Sequence, residues 1–130
     1  ANVPAQSAVQ TALGGYQSIN ELIVPGGRLR DQRDAAWEQL TAIPGVSCVK
    51  PKGAIYMFVK LDPTLYPVSN DTEFVLELLA REKILVVQGT GFNIQDTQHF
   101  RVVFLPTVDV MQNAAGRIER FLTRWSQRHA

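Results

Sequence analysis

Val46-Ser47-Cys48-Val49-Lys50-Pro51-Lys52-Gly53-Ala54-Ile55-Tyr56-Met57-Phe58-Val59-Lys60-Leu61 is the stretch whose reading decides the fold. Val46 to Val49 reads as a short strand, Lys50 to Gly53 as a turn, and Ala54 to Leu61 as a long strand, so the segment predicts a hairpin. Successive strand residues point to opposite faces. Ile55, Met57, Val59 and Leu61 therefore line one face, and Ala54, Tyr56 and Phe58 the other. A further strand, Gln98 to Leu105, repeats the pattern, with Phe100, Val102 and Phe104 opposing Arg101, Val103 and Leu105. Neither strand alternates apolar with polar as a sheet with one wet face does. Helices can cover one face. The other calls either for more of this chain's own helices or for a partner, the opposite end of a longer chain or a second subunit.

Helical patterns flank these strands. Pro4 to Leu13 reads as a short helix opened by Pro4 and stopped at Gly14. A second runs from about Gly27 to Ala42, where Leu29, Ala36, Leu40 and Ile43 recur at helical spacing before Pro44-Gly45. Asn70 with Glu73 forms a capping-box pattern ahead of a helix from about Asp71 to Lys83. Ile84 to Gln88 predicts a buried strand, Gly89 to about Thr97 a loop. Asp109 to Gln127 predicts a last helix whose Met111, Ala114, Ile118, Phe121 and Trp125 mark its core face. The expected order is α-α-β-β-α-β-β-α, an α+β domain in two layers with helices packed on a small, mainly antiparallel sheet.

Composition agrees with one such domain over residues 1–130. Apolar residues are 45% and charged residues 19% of the chain, enough for a core and unlike a disordered polymer. Thirteen Lys and Arg against 12 Asp and Glu leave a net charge of +1, which argues against a nucleic-acid coat or a polybasic membrane binder. No apolar run reaches the length of a membrane span. The single cysteine, Cys48, excludes an internal disulfide and a Cys-based zinc site, and suits a reducing, cytoplasmic setting. The opening Ala1-Asn2-Val3-Pro4 has no initiator Met and no signal-peptide pattern, which fits a mature protein or an excised piece alike.

Among residues able to carry chemistry, Arg101 stands out because it sits mid-strand between Phe100 and Val102. A buried guanidinium needs an anionic partner, and its fork matches a carboxylate or phosphate with two parallel hydrogen bonds. Position alone favours a structural ion pair or an edge-strand arginine facing water. His99 shares the strand face of Arg101, where a backbone hydrogen bond is the simpler role; His129 lies near the end and is expected to fray. Gly89-Thr90-Gly91-Phe92-Asn93 follows a strand but lacks the residues of a nucleotide-binding loop, so a tight turn is the expectation. Arg117, Arg120, Arg124 and Arg128 form a stripe on the last helix, read as a solvated face ahead of a phosphate-binding one. Cys48 reads as a buried thiol, and no metal-ligand spacing occurs.

Several segments in order carry a family resemblance. They are Asn2-Val3-Pro4-Ala5-Gln6, Gln10-Thr11-Ala12-Leu13-Gly14-Gly15, Pro25-Gly26-Gly27-Arg28-Leu29, Ile43-Pro44-Gly45 through Gly53-Ala54-Ile55-Tyr56-Met57-Phe58, Val86-Val87-Gln88-Gly89-Thr90-Gly91-Phe92-Asn93 and His99-Phe100-Arg101-Val102-Val103. Together they resemble the C-terminal part of fold-type I, pyridoxal-phosphate-dependent aminotransferases, most of all the bacterial alanine (glutamate–pyruvate) enzymes. The resemblance implies a small C-terminal domain of such a transaminase, including the linking helix at its start, in a homodimeric parent. It implies that Arg101 binds the α-carboxylate of the amino acid and 2-oxo acid substrates. It also implies that Ile55 lies near the substrate side chain and that the Gly89 to Asn93 loop borders the mouth of the site.

The Schiff-base lysine of the family lies upstream of these motifs, and none of Lys50, Lys52, Lys60 and Lys83 stands in a matching one. The resemblance thus implies a chain without its cofactor domain, holding no pyridoxal 5'-phosphate of its own and inactive alone. Gln95-Asp96-Thr97-Gln98 and Phe104-Leu105-Pro106-Thr107 are less typical of the alanine-specific members and leave the amino-acid substrate open. Two other readings stay in play: a free-standing binding or regulatory module for a small carboxylate anchored on Arg101, and a nucleic-acid adaptor using the C-terminal arginine stripe.

Overall fold

The computed structural model describes residues 2–129. Helices α1 (Val3–Gly14), α2 (Ile19–Ile23) and α3 (Arg28–Thr41) lead into the hairpin strands β1 (Val46–Cys48) and β2 (Tyr56–Leu61). Helix α4 (Asp71–Glu82) and strand β3 (Val87–Gln88) follow. A 3-10 turn (Gly89–Phe92) connects to β4 (His99–Val103), and α5 (Val108–His129) closes the described chain. The strands form one four-stranded antiparallel sheet in the order β1-β2-β4-β3, with β2 and β4 at its centre.

Each helix end has a local cause. The Asn2 side chain accepts from the Ala5 N–H at the start of α1, and Asn70 accepts from the Thr72 and Glu73 N–H groups at the start of α4. At the end of α4, Lys83 takes the left-handed conformation at φ 54° and its N–H bonds the Leu79 carbonyl. That cap, and not a strand, follows α4: Ile84 to Val86 stays outside the ladder, so β3 is only the pair Val87–Gln88. Strand β2 opens at Tyr56 and not at Ala54, because Ala54 turns the chain at φ 56°. Helix α2 and the 3-10 turn also go beyond the sequence expectation, both being too short to show a hydrophobic period.

The core lies between the sheet and α3, α4 and α5. Met57, Val59 and Leu61 of β2 and Phe100 and Val102 of β4 are buried against Ala36, Leu40, Phe74, Leu78, Phe121 and Leu122. Phe74 is its centre, within 6.0 Å of Phe100, 5.4 Å of Phe121 and 5.0 Å of Trp125, ring centre to ring centre. Burying side chains of this size contributes about 1.5–3 kcal/mol each. Three ring donors at the rim are matched: Trp125 Nε1 donates to the Pro67 carbonyl, Trp37 Nε1 to that of Cys48 and Tyr66 Oη to that of Pro44.

The opposite sheet face settles what the alternation left open. No helix of the described residues closes over it: Tyr56 and Val103 are 40% and 38% exposed, while Met57 and Val59 behind them are fully buried. Helix α1 buries no residue either. This bare face bears the residues of functional interest.

Candidate functional site

The β2–β4 register sets the site. Phe58 pairs with Arg101, Lys60 with His99 and Tyr56 with Val103, and Val87 of β3 pairs with Arg101 from the other side. Strand alternation turns these side chains to the bare face. Part of that face is a trough of about 700 Å3 lined by Ser47, Lys50, Lys52, Tyr56, Phe58, Lys60 and His99 among others.

Arg101 is on a central strand, so the edge-strand reading does not hold. Nor does the structural ion pair: among the described residues no carboxylate lies within salt-bridge distance of it. Its guanidinium carbon instead lies 4.4 Å from the centre of the Tyr56 ring and 4.4 Å from that of Phe92. Phe92 in turn meets Phe58 edge to face at 5.3 Å. Two aromatic faces attract the cation and limit how its plane can rotate. The Arg101 Nε is buried and makes no hydrogen bond. A buried donor without a partner is costly, and among the described residues no ion pair takes up the guanidinium, so its outer Nη–H groups are left for an anion.

The 3-10 turn delivers Phe92. Asp71, the first residue of α4, accepts from the Thr90 N–H at 2.9 Å and from the Thr90 hydroxyl at 2.8 Å. Gly89 lies so close to β4 that a Cβ there would stand 2.8 Å from the His99 carbonyl oxygen. The glycine therefore serves close backbone approach, as a tight turn requires.

His99 Nδ1 lies 2.6 Å from Asp96 Oδ1, so its partner is a side chain and not the expected backbone group. The hydrogen bond with His99, despite an opposing effect of burial, holds the Asp96 carboxyl below its ordinary value. His129 is not frayed: it stacks on Trp125 at 4.2 Å, and its Nδ1 lies 2.9 Å from the Trp125 carbonyl oxygen. Ile55 lies apart from Arg101, in a cavity of about 410 Å3 where Ile19, Ile23 and Phe104 meet Arg30, Arg33 and Lys52. Burial pushes the Cys48 thiol up, which leaves it a poor nucleophile at neutral pH.

The arginine stripe is not a plain solvated face. Arg117 and Arg124 converge on Glu82, which is only 8% exposed, and Arg128 bonds Glu77 at 2.7 Å. These pairs join α4 to α5 and occupy three of the four arginines that a phosphate-binding stripe would need. No cluster of three or more His, Cys, Asp or Glu able to hold a metal occurs among the described residues. No helix of those residues is long and apolar enough to cross a membrane.

Sequence reading singled out Arg101 but not its two aromatic neighbours or the Asp71–Thr90 pair. Tyr56 was within reach, since strand parity puts it on the Arg101 face. Asp71 gave no signal, because an aspartate in a first helical turn ordinarily serves the helix dipole.

Comparison with known proteins gives a consistent picture. Residues 2–118 match the family described as "Aminotransferase class I and II". The chain is 55% identical over 127 residues to "Glutamate-pyruvate aminotransferase AlaA" of Escherichia coli, covering 98% of this chain and 31% of that protein. It is 55% identical over 126 residues to "Alanine aminotransferase" of Mycobacterium tuberculosis, covering 97% of this chain and 29% of that protein. A crystal structure of an aminotransferase from Escherichia coli superposes with a TM-score of 0.87 at 56% identity, over 95% of this chain and 30% of the other. The chain thus spans about a third of the length of the relatives it matches.

Proposed function

The chain belongs to the class I and II aminotransferases, and from that premise we propose that it is the substrate-carboxylate arm, the C-terminal small domain, of a transaminase exchanging an amino group between an amino acid and a 2-oxo acid. The observation that carries this is Arg101: a guanidinium on a central strand, its carbon 4.4 Å from the ring centres of both Tyr56 and Phe92, with no carboxylate partner among the described residues. Alanine, glutamate and their 2-oxo acids are the substrates suggested by the names of its relatives.

Pyridoxal 5'-phosphate supplies the electron sink of transamination when bound. The residues described here do not make a site for it. Lys50 is paired with Asp34 at 3.0 Å, and Lys83 Nζ donates to the Ala80 carbonyl at 2.8 Å. Lys52 and Lys60 line the open trough, which contains no glycine-rich phosphate cradle. The cofactor and its lysine would come from another part of the enzyme seated against the bare sheet face. On this reading the isolated chain holds no cofactor and is inactive. The parent is a homodimer in the cytoplasm.

The contribution of this chain is then binding and orientation. Arg101 presents its two outer Nη–H groups to the oxygens of the substrate carboxylate. The rings of Tyr56 and Phe92 hold the plane of the fork, so the substrate enters with its α-carbon in one orientation. Closure of this domain over the substrate excludes water and strengthens that ion pair. The resemblance also assigns Ile55 to the substrate side chain, but its cavity with Ile19 and Ile23 lies apart from Arg101, so in this chain the assignment rests on the resemblance alone.

The test is Arg101→Lys in the complete enzyme. A lysine keeps the charge but loses the fork, so KM for both amino and 2-oxo acids should rise about 10–100-fold. Kinetics within about twofold of the native enzyme would overturn the assignment. Tight binding of an amino or oxo acid by the isolated chain would favour a free-standing carboxylate module instead.

A further inference from the structure

We infer that the bond between buried Asp71 and Thr90 is a positioning device for Arg101, fixing the Gly89–Phe92 turn so that the Phe92 ring holds the guanidinium in its carboxylate-binding plane. The inference rests on the carboxylate-binding reading of Arg101.

Asp71 is 4% exposed, an unusual state for a first-turn carboxylate. Both of its oxygens are spent on one residue, Oδ2 on the Thr90 N–H and Oδ1 on the Thr90 hydroxyl. Burying a carboxylate is costly unless it is fully hydrogen-bonded. What that cost secures is not core: Thr90, Gly91, Phe92 and Asn93 are all exposed. The one aromatic side chain of the anchored turn, Phe92, lies against Arg101 and Phe58. The turn is held at each end. Gly89 is seated on the His99 backbone, and Asn93, at φ 60°, closes it with an N–H to the Thr90 carbonyl at 3.1 Å. With Thr90 anchored to α4 between those ends, the backbone that carries Phe92 is tied on three sides. On this reading Asp71 and Thr90 act on Arg101 through Phe92 and not on the reacting atoms.

The test uses Thr90→Val, which keeps the side-chain shape and the N–H bond but removes the hydroxyl donor, with Thr90→Ser as rescue. Two readouts separate positioning from stability. In the full chain, the Arg101 guanidinium lies over two rings, so its Nε–H proton should resonate upfield of ordinary arginine; Thr90→Val should move it back and Thr90→Ser should not. In the complete enzyme, Thr90→Val should raise KM about tenfold with kcat within about twofold, and Phe92→Leu should do the same. A lowered Tm with native KM and a native Nε–H resonance would mean a merely structural tether and overturn the inference. If Arg101→Lys also leaves KM unchanged, the carboxylate reading fails by itself, and the resonance still decides whether the tether orients Arg101.

Discussion

The guanidinium of Arg101 and the ring of Tyr56 lie 4.4 Å apart on the one sheet face that no helix of the described residues covers. The two are not directly opposed in the ladder. Arg101 pairs with Phe58 and Tyr56 with Val103, so the contact is a diagonal between adjacent antiparallel strands. A diagonal of this kind lets a long side chain lie flat along its neighbour instead of standing into solvent.

That stack gives a first prediction. Tyr56→Leu removes the ring face and should raise KM of the complete enzyme about 2–5-fold, the effect of a cation–π contact of about 0.5–1 kcal/mol on an exposed site. Tyr56→Phe retains the face and should stay within about twofold of native. Steady-state kinetics on the two variants checks the difference; equal loss in both would point to the hydroxyl.

Glu82 gives a second. It is 8% exposed and draws in Arg117, whose Nε lies 3.6 Å from Oε2, and Arg124. Glu82→Gln keeps the shape and removes the charge, leaving two cations near each other with no counter-charge. Since both arginines are partly solvated, the expected loss is about 1–2 kcal/mol, below that for a fully buried pair. Denaturant unfolding should show a lower midpoint with an unchanged slope.

Acid stability is a third. Burial pushes the Glu77 carboxyl up, but the hydrogen bonds from Arg128 and Arg81 outweigh it and hold the group below its ordinary value of 4.5. The same balance, with Lys50 and Arg33 as donors, keeps Asp34 below 3.8. Because the folded values are depressed, the unfolded chain binds more protons in this window and stability falls with falling pH. The contribution is complete above the ordinary carboxylate values and is lost as pH drops through the lowered ones. Unfolding midpoints measured from about pH 6 down to pH 2 should fall below about pH 4.5, and Glu77→Gln should flatten part of that slope.

Much of this was legible because it is local. Asn70 caps α4, Glu77 and Arg81 pair at 2.5 Å across one helical turn, and the buried face of β2 follows strand parity. The doubly apolar sheet was also legible, as was the singular position of Arg101. Where the reading and the structure part, the cause is a contact distant in sequence or an element too short for a period. Arg124 meets Glu82 across 42 positions and Asp71 meets Thr90 across 19. No spacing rule links such residues.

The sequence by itself therefore determined the α+β class, the hairpin, the helix caps and the family, since each rests on periodicity, capping chemistry or a run of neighbouring residues. The tertiary structure alone decided which sheet face stays bare, that Arg101 has aromatic rings and not a carboxylate for neighbours, and that Asp71 anchors the turn carrying Phe92. The physical reason is that a charge's environment depends on what packs around it, and in this fold β4 receives its neighbours from β2, β3 and a turn tied to α4.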